Sequence, residues 1–197
     1  MTDIAPLRPD PAATAFLSTR RSRPAKTLRA PAPERAALAP ILSAALRVPD
    51  HGKLEPWRLI VLSHAALPRL AALAEARAAA AGLEADRAAK ARAMFADAPL
   101  IVAVVTSPEP SDKVPEVEQT LSAGALALSL CNAAQAAGWG ANWLTGPMAY
   151  DRAFLSEGLG LADHEGVAAY VVIGTEGPVP PERPRPDPAA KIAWTDA

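Results

Sequence analysis

The chain holds one cysteine, three histidines and only 5% aromatic residues, and each shortage removes a class of explanation. The single thiol, Cys131, cannot close an internal disulfide. Histidines isolated at positions 51, 64 and 164 do not supply the converging ligands at regular spacing that a zinc site needs. Neither sign of charge is in excess: 20 Lys and Arg stand against 21 Asp and Glu, a formal net charge of -1. Nucleic acid and anionic membrane are therefore not expected partners. The most apolar stretch, "LSAGALALSLCNAAQAA" (121–137), stops short of the roughly 20 residues of a membrane span and carries Ser122, Ser129, Asn132 and Gln135. There is no G-x-S-x-G elbow and no G-x-x-x-x-G-K-[ST] loop. "GWGANW" (138–143) follows a helical pattern and lacks the third glycine of a dinucleotide fingerprint. The opening "MTDIAPLRPDPAAT" has no basic-then-apolar layout, so a cytoplasmic protein is expected.

What is plentiful is apolar residue and proline. With 197 residues, half of them hydrophobic, the chain can build the core of one domain. Its 21 prolines cluster in "RPDP", "APAP", "SPEP" and "GPVPPERPRPDP", which mark loops and tails. Between them the periods are legible. Leu38, Ile41, Leu42, Ala45 and Leu46 recur at helical steps. "WRLIVLS" (57–63), "PLIVAVVTS" (99–107) and "EGVAAYVVIG" (165–174) read as buried strands. The alanine-rich stretch from 65 reads as one or two helices broken near Gly82, peripheral by their charged positions. "GWGANW" reads as a turn feeding a short strand, and "DRAFLSEGLGL" (151–161) as a small helix. The order predicts an α+β layering around one long buried helix.

One chemical cue stands out near the N-terminus. In "TRRSR" (19–23), Arg20, Arg21 and Arg23 offer forked donors and Ser22 a hydroxyl, a set that suits a phosphate and equally a solvated basic patch. Together with further stretches in the same order, this segment resembles the FMN-dependent nitroreductase family, in its short bacterial branch. The stretches are "RRS" (20–22), "LRVPDHGKLEPWRLIVL" (46–62), "APLIVAVV" (98–105), "KVPEVEQTLSAGALALSLCNAAQAAGWGANWLTG" (113–146) and "VVIGT" (171–175).

The resemblance implies a nitroreductase-like α+β fold: a mixed, mainly antiparallel central sheet flanked by helices in a homodimer. It implies a single domain over 1–197, with a tail at 1–13 and a C-terminal arm at 176–197 exchanged between subunits. It implies Arg20, Arg21 and Ser22 at the FMN phosphate, and His51 and Glu55 approaching the flavin from the partner. Glu55 stands where an amide is usual, and an ionised carboxylate can only accept hydrogen bonds. Trp143, Leu144, Thr145 and Gly146 would pass the flavin ring, with Trp143 alone readable as a core aromatic. Arg185 would return to the phosphate, or lie in a solvated Pro-rich strap. His51 is read as positioning the cofactor ahead of acting as an acid, since the flavin carries the chemistry. Lys113 and Glu118 flank the start of the long helix without an assigned role beyond capping charge and substrate contact. The implied activity is ping-pong hydride transfer from NADH or NADPH through FMN to an electron-poor small molecule such as a nitroaromatic or quinone. Alternatives are a specialised FMN enzyme of the same fold acting on a metabolite, and a flavin- or ligand-binding protein without turnover.

Overall fold

A computed structural model describes residue 4 and residues 6–195; the outermost parts of the expected tail and arm, at 1–3, 5 and 196–197, lie outside the described residues. Four strands form one sheet in the order β1-β2-β4-β3: β1 Trp57–Leu62, β2 Ile101–Thr106, β3 Gly140–Leu144 and β4 Gly166–Gly174. The helices are α1 Pro11–Thr19, α2 Arg35–Ala45, α3 Leu67–Ala80, α4 Ala85–Ala96 and α5 Glu116–Ala136. Helix α1 thus begins inside the stretch expected as tail, with the Asp10 carboxylate accepting from Ala13 N–H at 3.0 Å as its N-cap.

The apolar runs of β2 and β4 put them in the middle, because a strand without polar alternation needs both faces covered. Ile101, Ala103, Val105, Tyr170 and Val172 face the layer built from α3 and α4. Val102, Val104, Ala169, Val171 and Ile173 face α2 and α5. Two cores result, one on each side of a single sheet. The alanine-rich pair α3 and α4 is not peripheral: Leu67, Leu70, Ala74, Ala78 and Phe95 are fully buried, and only the outer faces carry the charges. Small alanines let these helices lie close to the sheet, around a cluster in which Phe95 sits 5.1 Å from Phe154 and 5.4 Å from Tyr170 between ring centroids.

Every pairing among the described residues is antiparallel. The excursion through α3 and α4 leaves the end of β1 and returns beside it, so Leu62 lies opposite Ile101. The single helix α5 carries the chain from the end of β2 back to the start of β3, which sends those two strands in the same direction. They are kept apart by β4, so no parallel pair forms and the mixed sheet expected from the resemblance is antiparallel here.

The two edges differ. The segment 23–29 closes the β3 side: Arg23 N–H donates to Ala141 O at 3.0 Å, Asn142 Nδ2 donates to Arg23 O at 2.7 Å, and Arg29 bridges to Thr175. Beside β1, a groove of about 1090 Å³ opens between α2, the end of β1 and the approach to β2, lined by Leu38, Leu42, Leu46, Val61 and Pro99 among others.

One ion pair ties β1 to the start of β4. Arg58 donates from Nε and Nη2 to Glu165 at 2.6 and 2.8 Å, and Ala162 N–H donates to the same carboxylate. The Arg58 bond, aided by that N–H and against the cost of burial, holds the Glu165 carboxyl down at about 2. A carboxyl depressed on folding stabilises the fold fully above its ordinary value of 4.5 and loses that contribution as pH falls through the range from 4.5 to about 2. Glu165→Gln should cost about 2 kcal/mol near neutrality, because it leaves the guanidinium half-satisfied. Urea unfolding from pH 6 to pH 2 checks this: the wild-type excess over the variant should vanish toward pH 2, and a constant difference would contradict the assignment.

Candidate functional site

The Arg-Arg-Ser segment ends α1. Arg20 is the C-cap, its backbone N–H donating to Phe16 O and its backbone turning to an extended conformation (φ -54°, ψ 143°), which peels the next residues off the helix toward β3. Arg20 Nη2 donates to Ser22 Oγ at 3.4 Å, and Arg185 Nη2 reaches back from the C-terminal arm to Arg20 O at 3.4 Å. Tertiary structure therefore joins Arg20, Ser22 and Arg185, which lie 165 positions apart at the extremes. Arg21 belongs to the same cluster: the Glu182 carboxyl is held below its usual range first by the Arg183 backbone N–H, then by the charges of Arg185 and Arg21.

Two donors in this cluster, Arg20 Nε and Arg21 Nη1, are buried with no hydrogen-bond partner among the described residues. An unpaired buried guanidinium nitrogen is costly, so the arrangement asks for an acceptor. The local carboxylates do not fill that role. Glu176 pairs with Arg23 at 2.7 Å, and the Glu182–Arg185 pair at 3.0 Å is exposed, so an incoming phosphate loses little by displacing Glu182.

On the α3/α4 side of β3 lies a cavity of about 500 Å³ whose wall includes Leu144, Thr145 and Gly146. Lys26, Lys90 and Asp97 supply its charges; Ala91, Met94, Met148 and Val172 supply much of its apolar surface. Gly146 adopts φ 95°, a backbone that side chains strain against, and a Cβ there would come within 3.9 Å of Met94 Sδ. Trp143 points to the other side of the sheet, 39% exposed, with Gly124 of α5 beneath its ring. It is not the core aromatic that its sequence also allowed. The volume and the mix of apolar wall with a few charges are those of a small-molecule site. Lys26, Lys90 and Met94 have no cue in the sequence, since Lys90 and Met94 sit in an alanine-rich helix whose charges look like a solvated face.

His51 and Glu55 occupy a different place. They lie in the loop before β1, packed on the N-terminal end of α5, and they do not meet the arginine cluster. Cys131, whose thiol is pushed up to about 11 by burial and pulled down by the nearby Arg20 charge, marks the arginine cluster's position along α5. Glu118, which contacts His51, marks the loop's. Thirteen residues of helix separate the two, about 20 Å at 1.5 Å per residue.

The loop is tightly held. Ser122 Oγ donates to Pro49 O at 2.6 Å and accepts from Trp57 Nε1 at 2.9 Å, so one buried hydroxyl pins both ends. The Asp50 carboxylate accepts from Leu54 N–H at 3.2 Å and Glu55 N–H at 2.9 Å. Between these anchors Gly52, Lys53 and Glu55 have φ of 76°, 55° and 49°. Two non-glycine residues in the left-handed region are strained, and such strain persists where surrounding contacts over-determine it. Glu118 is more than a capping charge: its Oε2 accepts from His51 Nδ1 at 2.7 Å. Lys113 has its backbone N–H on Ser111 Oγ, and its side chain is exposed.

Among the described residues no group of three or more His, Cys, Asp or Glu is placed to hold a metal ion, and no helix is long and apolar enough to cross a membrane.

Comparison with known proteins agrees with this architecture. The family model for the Nitroreductase family matches residues 17–175. A Haemophilus influenzae protein named "Putative NAD(P)H nitroreductase" is 39% identical over 164 residues, covering 83% of this chain and 88% of that protein. The solved structure of a nitroreductase-like family protein from Bacillus cereus superposes with a TM-score of 0.79 at 20% identity, covering all of both chains. A Desulfovibrio desulfuricans protein solved in complex with FMN gives 0.72 at 20% identity, covering 95% of this chain and 98% of the other. The match runs from the end of α1 through the last strand and so takes in Arg20, Arg21 and Ser22, the strained loop and the cavity wall, while Arg185 lies beyond it: the chain belongs to the nitroreductase family.

Proposed function

We propose that this protein is an FMN-dependent NAD(P)H oxidoreductase working as a homodimer. The observation that carries the reading is the pair of partnerless buried donors, Arg20 Nε and Arg21 Nη1, in a chain that also holds a cavity walled by Leu144, Thr145 and Gly146. Arg20, Arg21, Ser22 and Arg185 would hold the phosphate; Leu144, Thr145 and Gly146, with Lys26, Lys90 and Met94, would hold the ring system, the Trp143 side chain being turned to the other face of the sheet. FMN, when bound, supplies the two-electron chemistry that links NADH or NADPH to an electron-poor acceptor such as a nitroaromatic or a quinone, in alternating half-reactions. The protein binds and orients. Lysines near the ring would favour added negative charge there, and an ionised Glu55 would oppose it.

A homodimer would account for the separation of the loop and the arginine cluster, marked by about 20 Å of α5 between Glu118 and Cys131. Along its length α5 exposes Val117, Leu121 and Leu128, with Leu121 67% exposed. A two-fold interface along this helix would bring the loop of one subunit, with His51 and Glu55, to the arginine cluster of the other. The arm 176–197 fits the same picture as a strap exchanged between subunits. Its exposed Ile192 and Trp194 are suitable occupants for the apolar groove beside β1 of a partner. The chain then works as one domain with an arm, and a lone buried cysteine suits a reducing, cytoplasmic setting.

The protein purified without added cofactor should be yellow or become so with FMN, and NADPH should bleach it anaerobically. A colourless protein that does not bind added FMN would overturn the reading. Arg20→Ala should weaken FMN binding by about 10- to 100-fold, as loss of a charged hydrogen-bond donor to phosphate costs roughly 1.5–3 kcal/mol; titration by flavin fluorescence measures it. Leu121→Glu should shift the protein to a monomer in sedimentation and release the flavin with it. A monomer that keeps its flavin would show that the site lies within one chain.

A further inference from the structure

The flavin-site reading leaves unexplained why the one exposed histidine of the strained loop is backed by a carboxylate. His51 Nδ1 lies 2.7 Å from Glu118 Oε2. A carboxylate can only accept, so Nδ1 is the donor in that bond. The ring is 61% exposed, and Nε2 has no partner among the described residues. Glu118 therefore sets both the plane of the imidazole and the nitrogen it presents outward. The backbone around the pair is tied down by hydrogen bonds. Ser122 anchors the loop at Pro49 and Trp57, Asp50 spends both carboxylate oxygens on Leu54 and Glu55, and Val114 packs 3.3 Å from where a Gly52 Cβ would stand. A carboxylate that orients one ring nitrogen and leaves the other facing a reaction space is the arrangement of a working acid–base pair. A histidine needed only to touch a cofactor does not require it.

We propose that His51, oriented by Glu118, donates the proton that completes reduction of the acceptor in the partner subunit's site. The inference rests on the composite flavin site described above. A quinone that takes a hydride equivalent from NAD(P)H by way of the cofactor still lacks one proton. The N–H bond at His51 Nε2 breaks, an O–H bond forms on the acceptor oxygen, and the hydroquinone leaves. The imidazolium becomes neutral imidazole, and water returns the proton before the next turnover. Glu118 is a positioning residue: it holds the plane of the ring and the nitrogen it presents outward. The other charged groups on the packed segments are Lys113 and Glu116 beside Glu118, and Asp50, Lys53 and Glu55 in the loop. Of these Asp50 is committed to backbone N–H groups, so the one carboxylate bonded to the imidazole is Glu118.

The test uses the FMN-loaded full chain and separates the half-reactions by stopped flow, with NADPH as reductant and para-benzoquinone as acceptor. His51→Gln should slow quinone-dependent reoxidation about 100-fold, and at least tenfold more than it slows reduction by NADPH. Added imidazole should restore part of the loss in His51→Ala. Glu118→Gln should slow the same step about tenfold and shift the pH profile of reoxidation, while His51 itself stays in place. A readout independent of turnover comes from long-range proton–nitrogen NMR of the histidine ring. With the ring neutral at high pH, it should find the proton on Nδ1 of His51 in the wild type and a redistribution toward Nε2 in Glu118→Ala, with His64 and His164 unchanged. Reoxidation that stays within twofold of wild type in His51→Gln, flavin bound and reducible, would overturn the proton-donor role. Loss of FMN from His51→Gln would also overturn it, because the ring would then serve to hold the cofactor. Failure of the wild type to bind FMN would instead bring down the flavin reading, while the NMR result would still report on the pair.

Discussion

Helix α5 is the constraint on which the rest depends. Twenty-one residues long and apolar on nearly every side, it must be covered all round. One flank, with Leu126, Ala127, Leu130 and Ala134, is buried against the sheet and α2. The opposite flank keeps Val117, Leu121 and Leu128 exposed in a single chain. The helix is also the ruler of the candidate site, since the strained loop sits at its start and the arginine cluster near its end. Burial of the second flank and completion of the site are the same event in the dimer proposed here.

The two ends of that ruler are built differently, and the difference suits their roles. At the arginine end, donors are left without protein acceptors, and the available carboxylates are either paired elsewhere or exposed and easily displaced. Such an end suits an anionic ligand. At the loop end nearly every polar group is spent internally: Ser122 on Pro49 and Trp57, Asp50 on two backbone N–H groups, Glu118 on His51. Those bonds hold Lys53 and Glu55 in strained backbone and fix which side chains face outward. In the function proposed here, one end would bind and the other would present.

The resting charge of the site is mixed. Arg20, Arg21, Arg185, Lys26 and Lys90 crowd the arginine cluster and the cavity, while Glu55 stands on the loop. These basic groups would suit a phosphate and an electron-rich ring. A carboxylate at Glu55 would work in the opposite sense, and its strained φ of 49° is held by the Asp50 bond to its N–H and by the Trp57 N–H bond to its carbonyl oxygen. Glu55 is thus a position where this chain sets its own balance.

Much of this was legible in the sequence because the signals are local. Apolar runs mark β2 and β4, three- and four-residue periods mark α2, Gly82 marks the break between α3 and α4, and "RRS" marks a cluster of phosphate-type donors. By itself the sequence determined the elements, their order and the chemistry of the residues available. It misjudged α3 and α4 as peripheral because alanine does not reveal which of its faces will be buried. Other properties came only with the tertiary structure, because they depend on contacts between distant segments. Arg185 reaches Arg20 across 165 positions, Lys26 and Lys90 converge on one cavity, Trp143 turns toward α5 rather than the core, and Glu118 backs His51 across 67. Nothing in a run of neighbouring residues carries such distances; they are decided when strand register and the length of α5 fix where each segment ends.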